Sequence, residues 1–266
     1  MNKEEILKKL TEQYKQLIVS YPGLECGIDE KQDCFFIAGV LRFSACFKEK
    51  VVQDSYLIRI DVPWDFDVLH VPLSYELAGR IPHTFHHHLN GNLCLGIYIA
   101  IYEKLSQDCT LLGYVNNLLV PYLFAYSCYE KSGEMPFGNA GHDKDAMLLY
   151  LKERLGNVPA NRLLDFVVYM YMPQVYGSHR PCLCGSGLPL RDCHLKSIRE
   201  LTDIYPKIML RYDIKDCINQ LVEQKIYCDS MIPLKKRNHF CREINRDFAT
   251  DKAALARLYR KESTQD

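Results

Sequence analysis

Apolar positions in the first part of the chain recur at helical spacing and then at strand spacing. Ile6, Leu7, Leu10, Tyr14, Leu17 and Ile18, with Lys and Glu between them, predict an amphipathic helix over residues 3–19. Tyr21-Pro22-Gly23 stops it. The period then falls to two. Leu24–Ile28, Cys34–Ala38, Val40–Phe47 and Val51–Val62 are rich in β-branched and aromatic residues, which predicts an antiparallel meander. Val68–Leu73 is a candidate fourth strand, and a run marked by Pro63, Pro72 and Pro82 leads into His83–Gly96. Beyond it, Ser106 or Asp108 can cap a long apolar helix from Cys109 to Lys131, closed by Gly133. Pro121 inside that helix predicts a kink or two consecutive helices, and its nearly uniform apolar surface predicts burial on more than one side. Two further helices are expected at Asp143–Leu155 and Ala160–Met172. Residues 195–266 carry helical stripes, Ile198/Leu201/Ile204/Ile208/Met209, then Ile214/Cys217/Ile218/Leu221 and a weaker Leu255/Leu258/Tyr259.

Composition narrows the class of protein. A chain of 266 residues suits one large domain with an appendage or two small ones, and 48% hydrophobic with 25% charged residues supports a sizeable core. Lys plus Arg and Asp plus Glu balance at 33 each, so no global electrostatic case exists for nucleic acid or membrane. The Lys235-Lys236-Arg237 patch reads as a solvated basic face. No apolar run reaches the roughly 18 residues of a membrane span, and the N-terminus is no signal peptide; a cytoplasmic location is expected. Twelve cysteines without a secretory signal point to free thiols plus a metal site rather than to a disulfide framework. Cys26, Cys34 and Cys46 on strands, and Cys109 and Cys128 on the long helix, read as packing residues, and Trp64 as a side chain packed on the sheet edge.

The candidate chemistry lies in His83-Thr-Phe-His-His-His-Leu-Asn-Gly-Asn-Leu-Cys94-Leu-Gly96. Asn90-Gly91 makes a tight turn between three consecutive histidines and one cysteine, and Leu93 and Leu95 set Cys94 at the edge of a core. A thiol on a loop pinned at both ends is well placed to react; the competing reading is a small core cysteine beside a solvated histidine loop. The stretch resembles the active-site segment of ubiquitin-conjugating enzymes, with Asn90, Gly91, Leu93, Cys94 and Leu95 in the family's order. The order of elements, helix then meander then proline-marked run into a cysteine loop, is also that of the ubiquitin-conjugating α+β fold. Two departures accompany it. The family's His-Pro-Asn triplet falls on Thr84-Phe85-His86, so His86 or a neighbour would replace the Asn that stabilises the oxyanion. The acidic residue usual two positions after the cysteine is Gly96.

Met135-Pro-Phe-Gly-Asn-Ala-Gly-His142-Asp resembles a segment of bacterial relatives encoded beside cyclic-oligonucleotide synthases in antiphage (CBASS-type) operons, matching at Pro136, Gly138 and His142. His142 would then face the active-site loop or anchor a turn. The resemblance implies an acyl-transfer enzyme in which Cys94, helped by His86, His88 and His142, carries a protein C-terminus as a thioester to an amine. It implies as partner a protein substrate such as a cGAS-like nucleotidyltransferase C-terminus, with or without an activating enzyme.

Pro181-Cys182-Leu-Cys184-Gly-Ser-Gly-Leu-Pro-Leu-Arg-Asp-Cys193-His194 is the most specific signal. Three thiols and one imidazole suit a closed tetrahedral structural zinc, with no position left for a catalytic water. The stretch resembles the SEC-C motif, a short zinc knuckle, with all four ligand positions filled. The expected organisation is a conjugating-type domain over 1–176, a knuckle over 177–198 and a helical tail over 199–266. Two other functions compete. One is a non-catalytic adaptor with Cys94 merely buried. The other is a metal hydrolase on the histidines, which adjacent residues pointing different ways and the lack of a spaced carboxylate disfavour.

Overall fold

A computed structural model of the chain describes residues 2–68, 70–136, 144–156, 158–204, 230–233, 235–247 and 249. They form a mixed structure of helices and one four-stranded antiparallel sheet in the order β1-β2-β3-β4. Helix α1 (Lys3–Ser20) begins at Asn2, whose side chain accepts from Glu5 N at 2.8 Å while the Glu5 carboxylate accepts from Asn2 N at 3.1 Å. This reciprocal cap satisfies two otherwise orphaned donors. Leu10 and Leu17 on its inner stripe are buried at 2% and 0% exposure.

The strands are β1 (Leu24–Asp29), β2 (Cys34–Phe47), β3 (Lys50–Val62) and β4 (Leu73–Glu76). Strand β2 runs unbroken through Gly39, where two shorter strands were expected. Gly39 pairs with Leu24 at φ +137, and a Cβ there would lie 2.3 Å from Gly23 O. Glycine therefore keeps the strand continuous where the two backbones approach most closely. The fourth strand starts at Leu73 rather than Val68, after Pro72, which has no N–H to donate to a ladder. Phe35, Ile37, Leu41 and Phe43 of β2 and Tyr56, Ile58, Ile60 and Val62 of β3 fill one core with the helix over Val120–Ser132, which packs on both strands. Cys34 and Cys128 are buried as expected. Cys46 is exposed, because the pleat turns it to the face opposite Phe43.

Helix α2 (Tyr98–Gln107), which the sequence pattern does not predict, is followed by α3 (Leu111–Tyr114), a π-helical stretch (Val115–Leu119) and α4 (Val120–Ser132), where a helix kinked or split at Pro121 is expected from Cys109. The cap is Thr110, whose hydroxyl accepts from Gly113 N at 2.9 Å and donates to Asp108 at 2.7 Å. Pro121 accounts for the π stretch: it cannot donate to Asn117 O, and its ring would strike that carbonyl in a regular helix. Asn117 O instead accepts from the Lys104 ammonium at 2.9 Å. Gly133 ends α4 at φ +70, the left-handed stop the sequence predicts.

The chain divides into two compact units, Met1–Gly96 with Ala100–Ala140, and Ile97–Ile99 with Gly141–Asp266. The boundary falls ahead of the expected one at 176 because helices α5 (Lys144–Leu155) and α6 (Ala160–Tyr171) pack with the cysteine-rich turn and α7 (Leu195–Ile204). In this second unit Asp165, 1% exposed, accepts from the Ser230 hydroxyl and from Met231 N at 2.6 Å. A helix over 235–247 lays Phe240 edge-on to Tyr171 and leaves Lys235 and Lys236 exposed. The stripes expected over Ile208–Leu221 and Leu255–Tyr259 lie outside the described residues. Among the described residues no helix is long and apolar enough to cross a membrane.

Candidate thiol site and candidate metal centre

Cys94 stands on a short antiparallel hairpin. His87 and Leu93 face one another across it, with His88 N donating to Asn92 O at 2.9 Å and Cys94 N to His86 O at 2.7 Å. Gly91 N donates to His88 O at 2.9 Å and closes the tip, and Gly91 takes the left-handed φ of +86. An Asn-Gly pair supplies that conformation at little steric cost. Pleating puts alternate residues on opposite faces. By alternation about that bridge, His88, Asn92 and Cys94 lie on the face away from His87 and Leu93, while His86, at φ +43, stands outside the pleat. Leu93 goes into the core at 2% exposure. His87 donates through Nδ1 to Phe85 O at 2.8 Å and lies 5.1 Å from the His83 ring. The three consecutive histidines thus do not share a face.

The hairpin is pinned from two sides. Leu93 N donates to Ser74 O at 2.7 Å, tying it to β4. The Tyr122 hydroxyl of α4 donates to Phe85 O at 3.0 Å and, shared, to His86 O at 3.3 Å. Burial first, and the neighbouring Cys94 sulfur next, push the Tyr122 phenol well above its ordinary pKa, so it stays a neutral donor. Phe85 fills the space beneath, its ring 5.8, 4.8 and 5.2 Å from Tyr122, Tyr126 and Tyr129. Tyr126 in turn donates to Arg80 O at 2.6 Å. The Arg80 guanidinium makes two 2.9 Å bonds to Asp54 and reaches Glu130 at 2.6 Å. Burial alone would raise the Asp54 pKa; the Arg80 hydrogen bonds prevail and hold it at about 2.

Cys94 is half-buried and forms no disulfide. His86 holds φ +43, a left-handed conformation in which Asn, Asp and His are enriched. Asn92 is 5% exposed, and its side-chain oxygen has no hydrogen-bond partner. A buried acceptor left without a donor costs about 1–3 kcal/mol, so this oxygen is an anomaly at the edge of the site.

The second site is more compact. The ligand atoms of Cys182, Cys184, Cys193 and His194 all lie within 4.8 Å of one another. Cys184 and Cys193 sulfurs are 3.8 Å apart, and His194 Nδ1 is 3.2 Å from Cys182 and 3.0 Å from Cys193. A tetrahedron with Zn–S of about 2.3 Å has sulfur–sulfur edges of about 3.8 Å, so the donor set fits a zinc ion. Cys182 N donates to Leu188 O at 2.6 Å and Gly185 N to Cys182 O at 2.9 Å. Gly185 and Gly187, at φ +84 and +80, let the turn fold this sharply. Burial pushes the Cys182 thiol up to about 12, and the Ser186 hydrogen bond draws Cys184 down against burial. His194 donates through Nε2 to Leu155 O at 2.8 Å, which leaves Nδ1 as the lone-pair donor to a metal. The edge of the Phe166 ring backs the imidazole at 5.3 Å.

Among the described residues no other Cys, His, Asp and Glu group converges in this way, so the histidines around Cys94 form no metal cluster there. His142, singled out beside Cys94 from the sequence, lies outside the described residues, as do Gly138 and the rest of 137–143. Tyr122, Asn92 and Leu155 O were not anticipated. Comparison of the chain with protein-family models, with curated proteins and with solved structures returned no match.

Proposed function

We propose that the protein is an acyl-transfer enzyme of the ubiquitin-conjugating type, with Cys94 as nucleophile. The observation that carries this reading is the pinned hairpin: Tyr122 and Ser74 fix its two sides, and Cys94 follows the Asn90-Gly91 turn half-buried, its backbone N–H bonded to His86 O at 2.7 Å. The Cys94 sulfur attacks the carbonyl carbon of an activated protein C-terminus; a sulfur–carbon bond forms and the activating group leaves. An amine then attacks the same carbon, the thiolate departs, and the amine proton passes to a base. Only the thiolate attacks, and a thiol of ordinary pKa about 8.5 is a few per cent ionised at neutral pH. A protonated histidine nearby raises that fraction, and an N–H aimed at the oxyanion contributes about 3 kcal/mol to the transition state. His86 and His88 are assigned those roles.

Cys182, Cys184, Cys193 and His194 are assigned to one structural zinc, whose role is to cross-link the turn with α5 and α7; four protein ligands leave it no substrate position. The proposed partner is a protein whose C-terminus is conjugated, a cGAS-like nucleotidyltransferase in an antiphage operon, with an activating enzyme upstream. Incubation with that partner, an activating enzyme and ATP should give an adduct that reducing agent cleaves. Cys94→Ser should convert it to a reductant-resistant ester or give none, and Cys94→Ala should abolish it. A reductant-sensitive adduct that survives Cys94→Ala would move the nucleophile elsewhere, and no adduct in any combination would favour an adaptor.

A further inference from the structure

We propose that Cys184 and Cys193 form a modification site at the metal centre, where a hydroperoxide oxidises the pair to a disulfide and so unlocks the centre. This rests on the four-residue set holding zinc. The ligand set is asymmetric. Cys182 is 0% exposed and followed by buried Leu183, and the His194 imidazole is fixed through Leu155 O and backed by the Phe166 ring. Cys184 and Cys193 are half-buried, with their sulfurs 3.8 Å apart. Gly185, Ser186 and Asp192 beside them are exposed, and the Ser186 hydroxyl lies 3.6 Å from the Cys193 sulfur. One edge of the tetrahedron is therefore anchored inward, and the opposite edge borders solvent. A small reagent reaches the outer edge first, and each sulfur there has the other as its neighbour. Joining them needs little movement. A disulfide is about 2.05 Å long, so sulfurs 3.8 Å apart approach by about 1.8 Å. The turn between them carries Gly185 and Gly187 at positive φ, where the backbone adapts at low steric cost.

The hydroperoxide is the only reagent needed. The sulfur of Cys184 or Cys193 attacks its outer oxygen, the O–O bond breaks, a sulfenic acid forms and water or an alcohol leaves. The second sulfur then attacks the first; the S–S bond forms as the S–O bond breaks, and hydroxide takes up a proton to leave as water. The two sulfurs are oxidised by two electrons together, and the hydroperoxide is reduced by two. Cys182 and His194 remain, half of a closed zinc set. The test uses the full wild-type chain, with its zinc counted before treatment. Equimolar hydrogen peroxide is added beside a chromophoric chelator, and the remaining thiols are alkylated and mapped by mass spectrometry. Zinc should be released severalfold faster than by chelator alone, with about two thiols lost per ion. The disulfide should join Cys184 to Cys193 and leave Cys182 open to alkylation after unfolding, and a dithiol reductant with added zinc should restore the centre. A chain holding no zinc before treatment would overturn the metal reading and this one together. A zinc-loaded chain that keeps its ion under peroxide, or loses it with a disulfide through Cys182 or with none, would overturn the role of this edge and leave the metal reading standing.

Discussion

The described residues include two cysteine hairpins built alike in backbone and unlike in how their side chains are arranged. Around Cys182, a turn with glycines at positive φ folds three sulfurs and an imidazole inward until their donor atoms lie within 4.8 Å of each other. Around Cys94, a turn with Gly91 at positive φ leads a single thiol back alongside the histidine run, with Cys94 N bonded to His86 O. The first satisfies its thiols by convergence and fixes its imidazole through Leu155 O. The second leaves its polar atoms spread, one of them without a partner, and spends its hydrogen bonds on the backbone instead, through Tyr122 and Ser74. A cluster that closes on itself suits a structural ion; a thiol held half-buried outside any such cluster calls for a different account.

The largest effect should come from breaking the closed cluster. Structural zinc binding is worth on the order of 10 kcal/mol and is coupled to folding. Purified protein should hold one equivalent of metal, and a strong chelator or Cys184→Ser should release it. Hydrogen exchange should then rise over residues 179–200 and stay protected over 83–96. Metal analysis finding no transition metal in the wild-type protein would end this reading, and equal loss of protection in both hairpins would erase the contrast between them.

Acid should act the other way round. The Asp54 carboxyl sits at about 2 against an ordinary 3.8, so its stabilising contribution is fully present above about pH 4 and fades as pH falls toward 2. The shift corresponds to about 2 kcal/mol. Since Arg80 carries this carboxylate and receives Tyr126 on its carbonyl, the loss should loosen the Cys94 hairpin. Denaturant unfolding at pH 6 and at pH 2.5, on wild-type protein and Asp54→Asn, should show the smaller pH dependence in the variant; identical slopes would remove Asp54 from the account.

The two hairpins were also unequally legible in the sequence. The metal ligands announce themselves by spacing, since few other arrangements need Cys-x-Cys and Cys-His about a Gly-Ser-Gly turn. The sheet was readable for a similar reason: Tyr56–Val62 alternates, and β3 follows it. What holds Cys94 was not readable. Tyr122 is one aromatic residue among many on a buried helix, and nothing local marks a phenol that will meet carbonyls 36 and 37 residues away. The break in that helix was half legible: Pro121 promised a disturbance, but that Lys104 would take up Asn117 O depends on the folded chain. Asn92 reads as part of a polar turn, and only its burial without a partner sets it apart.

A sharper probe of the open hairpin is Tyr122→Phe. It keeps the ring against Phe85 and deletes only the hydroxyl shared by Phe85 O and His86 O. The expected cost is about 1 kcal/mol, the net worth of one buried hydrogen bond. The discriminating result is local: exchange at the Cys94 amide should rise more than exchange in β2. A uniform rise would mean that the hydroxyl only adds to global stability.

The smallest effect separates a strained backbone position from a chemical one. His86 occupies φ +43, where alanine is disfavoured and asparagine is tolerated. Asparagine is also the residue that the ubiquitin-conjugating resemblance places there, as an oxyanion donor through its side-chain amide. His86→Asn should therefore change stability by less than about 0.5 kcal/mol and keep measurable transfer. His86→Ala should slow transfer severalfold more than His86→Asn does. His86→Gly, which relieves the backbone and removes the donor, should match alanine in transfer and asparagine in stability. If glycine instead restores transfer, the imidazole is not the donor, and what matters at position 86 is the left-handed turn that leads the chain into the hairpin.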